Sequence, residues 1–232
     1  MSEVFSDIPH GTDTGGKEAV PTAEWLVTQY GLGQLPRAAA TLAEAYLELN
    51  PGMRPTVQRI ESVGGWCLEH AEPAALNKAL TAGDLLSRVE RVGDEKILAP
   101  APALAGNALP ESIARHIHGP LAGLPWKWRG FGAYEYRLRD LEDDGIIARL
   151  LRIEPGKAVP QHTHDGMEAT LVLHGAYRDE AGLFRPGDVE IADHAVDHQP
   201  VAEPGATCIC FAVNEAPMRL TGRIGRFLQS FM

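Results

Sequence analysis

Residues 156–175 read GKAVPQHTHDGMEATLVLHG, and this stretch decides how the second half of the chain is understood. In an extended strand alternate side chains share a face, so the H-x-H pair His162 and His164 aims two imidazoles at one point. Asp165 and Gly166 supply a turn, and Glu168 re-enters on the next extended run, ATLVLHGAY, where a carboxylate can close the site from a second strand. Three donors at this spacing suit one divalent metal ion and call for a fourth.

Outward from this stretch, the chain after residue 125 keeps a period of two. FGAYEYRLRD, GIIARLLRIE, ATLVLHGAYRD, FRPGDVEIA, HQPVAE, TCICFAV and MRLTGRIGRF are separated by Gly, Pro and Asp turns. Many short strands at regular spacing predict a closed or sandwiched antiparallel sheet. Residues 21–91 instead repeat apolar groups every three or four positions, as helices do. A first helix carries Trp25, Leu26, Tyr30 and Leu32 after a Thr22 cap. A second covers 37–49 and is stopped by Asn50, Pro51 and Gly52, a third starts at Arg54 or Pro55 and runs toward Glu69, and a short fourth covers 84–92 after Gly83. Trp25, Leu35, Leu42, Val57, Ile60 and Trp66 are the expected core of this bundle. The Gly-rich polar residues 1–20 are expected to form a disordered tail, and LAPAPALAGNALP marks a linker over 96–112. The expected organisation is a tail (1–20), a helical domain (21–95), a linker (96–112) and an all-β domain (113–232), an α + β two-domain chain.

The formal net charge is -10, with 21 Lys and Arg among 31 acids over 232 residues. Direct nucleic-acid binding needs a basic stripe to displace counterions, and no run of basic residues is present. No apolar segment approaches the roughly 20 residues that span a bilayer, and MSEVFSDIPHGTDTGGKE lacks a signal-peptide pattern, so a cytoplasmic protein without membrane contact is expected. Cys67, Cys208 and Cys210 form no disulfide framework. Cys208 and Cys210 share one face of a strand and read as buried thiols, Cys67 as core, and His70 as surface.

Gly156, His162, His164, Glu168 and Gly175 match every fixed position of the first cupin motif, G-x5-H-x-H-x3-E-x6-G, so the β domain resembles the cupin superfamily, an RmlC-like jelly-roll barrel. Among the remaining histidines of the β domain, the second cupin motif, read from Gly187, places its ligand at His198. Asp193, Ala195 and Ala202 stand where that motif has Pro, Gly and Asn. His174 and His194 then read as surface residues. The resemblance implies one metal ion held by His162, His164, Glu168 and His198. By ligand type the set suits Zn, Fe, Mn, Ni or Co, and four protein donors can close a tetrahedral zinc site.

A helical region followed by a compact cupin ending HQPVAEPGATCICFAV resembles the ChrR-type zinc-dependent anti-sigma factors, a stress-response family. TLVLHGAYRDE, FRPGDVEIA and DHQPVAE carry the resemblance most strongly, with echoes in TQYGLGQLP and ESVGG. It implies that the helical domain holds an extracytoplasmic-function sigma factor and that the cupin serves the response to an oxidative signal such as singlet oxygen. The helical domain of that family binds zinc through an H-x3-C-x2-C signature, where this chain has Tyr46, Asn50 and Met53; His10 lies in the polar tail without companions.

Two functions are therefore carried forward. One is a transcription regulator in which the metal cupin senses or stabilises. The other is a small metal-dependent cupin enzyme of dioxygenase or isomerase type, which needs an acid or base beyond the four ligands; Tyr134, Tyr136, Glu190 and Trp128 are the candidates. A homodimer formed by pairing of edge strands is compatible with either.

Overall fold

The computed structural model describes residues 22–74, 109–143 and 145–222, with positions 83 and 86 described singly. The expected tail, most of the expected linker, the helix over 84–92 apart from position 86, and the chain after 222 lie outside the described residues. Among the described residues no helix is long and apolar enough to cross a membrane.

Three helices open the described chain. Helix α1 (Ala23–Gly31) starts at Thr22, whose hydroxyl accepts the Trp25 N–H at 3.4 Å. Helix α2 (Arg37–Leu49) follows the extended Pro36 and ends at Asn50. Helix α3 (Arg54–His70) begins after a single 3-10 turn, Pro51–Met53. The three bounds agree with the punctuation of the sequence, because Thr, Pro and Asn-Pro-Gly each interrupt or cap a helix by local chemistry. Helix α2 is buried along most of its length, with Ala38, Ala39, Leu42, Ala43, Ala45, Tyr46 and Leu47 in the core. Its alanines let a helix backbone approach closely on several sides.

The expected core of the bundle is only partly correct. Leu42 and Val57 are buried, and Trp25 and Leu35 pack against the core partly buried. Trp66 is 60% exposed and Cys67 is exposed, contrary to expectation. Helix α1 packs on α3, but beyond Ile60 every residue of α3 is exposed. An apolar stripe becomes core only where another element covers it, and none of the described residues covers this half.

Among the described residues the β region contains eleven strands. A six-stranded antiparallel sheet has the order β1 (Lys127–Gly130), β2 (Ala133–Arg137), β3 (Ile147–Ile153), β10 (Cys208–Asn214), β5 (Glu168–His174), β8 (Val189–Ala192). Against it lie β7 (Leu183–Phe184), β6 (Tyr177–Arg178) and β9 (Val201–Ala202), and the pair β11 (Met218–Leu220) and β4 (His162–His164). This is the jelly-roll of a cupin, reached from the period-two runs. Strand β10 is buried at every position because both faces of the large sheet are covered, which explains why CICFAV reads as a continuous apolar run.

Alternation divides the large sheet into two faces. Leu150, Leu171, Phe211 and Val213 join Leu26, Leu42, Tyr46 and Ile113 in one buried cluster, so α2 packs directly on the outer face. Val172, Cys208 and Cys210 point the other way, into a second cluster with Tyr177 and Ala202. The helical and β regions expected from the sequence are thus packed on one another. Two polar contacts join them at the end of α2. The Glu48 carboxylate accepts the N–H groups of Glu111 (2.6 Å) and Ser112 (2.9 Å) at the start of helix α4 (Glu111–Ala114). Asn50 Nδ2 donates to the Gly187 carbonyl at 2.8 Å and to Tyr46 O at 3.0 Å.

Candidate metal centre

Even-numbered positions of β4, β5 and β8 face the inside of the barrel, and this places the donors. His162 and His164 flank Thr163 on β4, and Glu168 opens β5. His198 reaches the same point from the other side, since the His162 and His198 backbones form an antiparallel bridge with N–H···O distances of 3.1 and 3.0 Å. All four side chains are buried, and their ligating atoms lie within 4.8 Å of one another.

The contacts among them share one character. His198 Nε2 is 3.2 Å from His162 Nε2 and 3.3 Å from His164 Nε2, and His164 Nε2 is 3.2 Å from Glu168 Oε2. Metal–nitrogen bonds of about 2.0 Å in a tetrahedron give an edge of about 3.3 Å. A proton shared between two of these imidazole nitrogens satisfies that pair alone, because each ring offers there a single lone pair or a single proton. A cation is the species that satisfies three lone pairs and a carboxylate together, so the donor set fits a metal ion.

Three of the four are also held from behind. His162 Nδ1 donates to Pro160 O at 2.8 Å. His198 Nδ1 faces Asp179 Oδ2 and Glu190 Oε1, both at 3.0 Å, and Tyr177 donates to Glu190 Oε2 at 2.5 Å. The other oxygen of Glu168 accepts from Asn214 Nδ2 (2.5 Å) and Arg149 (3.3 Å), leaving Oε2 to face the histidines. Arg149 continues to Glu135 at 3.6 Å, which also pairs with Arg129. Fixing the far atom of a ligand sets its tautomer and orientation. His164 Nδ1 has no partner among the described residues.

The electrostatics follow from burial and these partners. Burial pushes His162 down to about 4 and lowers His164, so both rings are neutral, the form that ligates. Burial acts the same way on His198, but its hydrogen bonds to Asp179 and Glu190 outweigh it and push the ring up to about 10. Glu168 is held below the usual carboxylate range: burial opposes this, and the nearby His164 ring, the Arg149 guanidinium and the Asn214 hydrogen bond overcome it.

The other candidates lie elsewhere. His174 donates to Thr207 O at 3.0 Å near the end of β5, and His194 is exposed in the loop before His198. On β2 Glu135 is buried, whereas Tyr134 bonds Glu154 at 3.2 Å and Tyr136 packs against Trp126 at the helix-covered core. Trp128 is exposed. Glu190 alone among the acid or base candidates reaches the cluster, and it is engaged by His198 and Tyr177. Cys208 and Cys210 are buried with their sulfurs 3.6 Å apart. At the degenerate helical motif, Tyr46 is buried, Met53 packs against the shared core and Asn50 bonds Gly187.

Sequence reasoning missed Asp179, Arg149, Asn214 and Glu135. Asp179 stands in the quoted run TLVLHGAYRDE, one residue after β6, and that position was its only signal. Arg149 and Asn214 reach Glu168 through strand register, Asn214 lying directly opposite it across β10 and β5.

Comparison with known proteins agrees with this architecture. The ChrR cupin-like domain model matches residues 115–218. The anti-sigma-E factor ChrR of Cereibacter sphaeroides is 38% identical over 208 residues, covering 89% of this chain and 94% of that protein. A crystal structure of Rhodobacter sphaeroides SigE in complex with the anti-sigma ChrR matches with a TM-score of 0.64 and 36% identity, over 84% of this chain and 97% of that one. With the cupin motif, the helical region ahead of it and a relative alike over nearly its whole length, the chain belongs to the ChrR family.

Proposed function

We propose that this protein is a ChrR-like anti-sigma factor: the helical region, residues 21–95, holds an extracytoplasmic-function sigma factor, and the cupin, from residue 113, carries one zinc ion on His162, His164, Glu168 and His198. The observation that carries the partner is the likeness to a ChrR chain captured with SigE, which spans 97% of that chain and so includes its helical part. Helix α3 offers a surface for such a partner, since Val63, Trp66 and Leu68 are 64%, 60% and 79% exposed on it. Zinc is favoured because three histidines and one carboxylate complete its tetrahedral shell, and the 3.2 and 3.3 Å separations of the donors are compatible with that shell. Such an ion, when bound, joins two strands and the His198 loop by its bonds and neutralises the Glu168 carboxylate. A cytoplasmic location goes with this role, because a sigma factor works on the transcription apparatus there.

Coexpression of the full chain with the extracytoplasmic-function sigma factors of its own genome is expected to yield a one-to-one complex that survives gel filtration. If none of them copurifies, the regulator reading fails. Elemental analysis of protein purified without added metal is expected to find one zinc per chain, and its loss in His198→Ala tests the ligand set.

A further inference from the structure

Strand β8 touches the metal centre at one end and the helical region at the other. At its C-terminal end Ala192 pairs with Glu168 across the sheet, and within it Glu190 accepts from His198 Nδ1. The turn before it is tied to β5 by Gly187 N–H to Val172 O at 2.9 Å and Val172 N–H to Asp188 O at 3.0 Å. The carbonyl of the same Gly187 is held by Asn50 at the end of α2, and Val189 packs into the core shared with the helices.

We propose that metal occupancy of the cupin and docking of the end of α2 are thermodynamically linked through β8, with Asn50 as the positioning residue on the helical side. This rests on the reading of His162, His164, Glu168 and His198 as a metal centre, and not on the identity of the partner. With Glu168 and His198 drawn onto one cation, the residue paired with Ala192 across the sheet and the imidazole bonded to Glu190 are both fixed, and the Gly187 carbonyl is presented to Asn50. When the cation leaves, three nitrogens and a carboxylate lose their common partner, the side chains reorient, and Glu190 loses the fixed imidazole it accepts from. Linkage is reciprocal, so whatever the metal adds to α2 docking, α2 docking adds to metal affinity. For the proposed regulator, this gives metal loss in the barrel a route to the helices that hold the partner.

The test uses the full chain with zinc alone and needs no sigma factor. Asn50→Asp sets a carboxylate against the Gly187 and Tyr46 carbonyls, and Asn50→Ala removes the bond without adding charge, so one variant remains informative if the other folds poorly. Zinc affinity, measured by competition with a chromophoric chelator, is expected to fall about 5- to 10-fold in both, a typical coupling between linked sites. Hydrogen exchange in wild-type protein is expected to speed up at the end of α2 and over 187–192 when zinc is stripped, and to return when it is restored. Unchanged zinc affinity in a folded Asn50 variant, or α2 exchange indifferent to zinc, overturns the linkage while leaving the metal centre intact. Failure of the wild type to bind zinc overturns both.

Discussion

His198 is held from both sides: its Nε2 faces two other imidazoles, and its Nδ1 faces Asp179 and Glu190. Because the tautomer that ligates through Nε2 keeps its proton on Nδ1, those two carboxylates set how much of the ring is ready to bind. Asp179→Asn and Glu190→Gln are each expected to weaken zinc binding by about 10- to 100-fold without removing a ligand. Chelator competition checks this, and unaltered affinity in both would mean that the two carboxylates only fill space. Glu135 gives the residue-level test of pH. Burial raises its pKa, but the Arg129 hydrogen bond and the charges of Arg129 and Arg149 outweigh burial and hold it below its ordinary 4.5. A carboxylate depressed in the folded state stabilises fully above its unfolded pKa and loses that contribution as pH falls through the lower folded one. Urea midpoints followed from about pH 6 to about pH 3 are therefore expected to fall less steeply in Glu135→Gln than in wild type. Parallel profiles would show that this pair does not contribute.

The two glycines that frame the metal motif do different work in their turns. Gly175 has φ +67, and a Cβ there would lie 2.5 Å from the Thr207 carbonyl oxygen, so both backbone strain and a clash oppose any side chain. Gly156 has φ +70 with nothing within 4 Å, so only the strain remains. Gly175→Ala is expected to cost more than about 3 kcal/mol, and Gly156→Ala about 1 kcal/mol, in urea unfolding. The reverse order would contradict the packing of the β5–β6 turn against the start of β10. Helix α2 is the corresponding element on the other face. Leu42, fully buried where the helices meet the large sheet, is expected to cost about 3 kcal/mol when truncated to Ala, because little around it can collapse into the cavity.

At the scale of the whole molecule, the cluster that runs from Leu26 and Leu42 to Leu171 and Phe211 makes the helices and the barrel one packing unit. Helical circular dichroism and tryptophan fluorescence are expected to report a single coincident unfolding transition. Two separated transitions would mean that the α2 contact is too weak to couple them. A zinc ion bound as proposed would add to this unit by mass action, about 4 kcal/mol at a free concentration a thousandfold above its dissociation constant, so chelation is expected to lower the unfolding temperature of helices and barrel together.

What could be read from the chain alone was what depends on neighbours in sequence. The H-x-H pair, the Glu168 turn, the caps at Thr22 and Asn50 and the alternation of the strands are short-range patterns, and they placed three helices, the barrel and three of the four residues that converge at the candidate metal centre. The fourth donor, His198, came from a family motif, and the structure brings it to the other three through a backbone bridge. The same short-range reading misplaced Trp66 and Cys67, because an apolar stripe does not say whether anything will cover it. Only the tertiary structure decided that, together with the partners that hold the donors and the contact of Asn50 with Gly187. Asp179, Arg149, Glu190 and Asn214 sit on four different segments, and strand register and barrel closure bring them to one point; neither is written in any local stretch of the sequence.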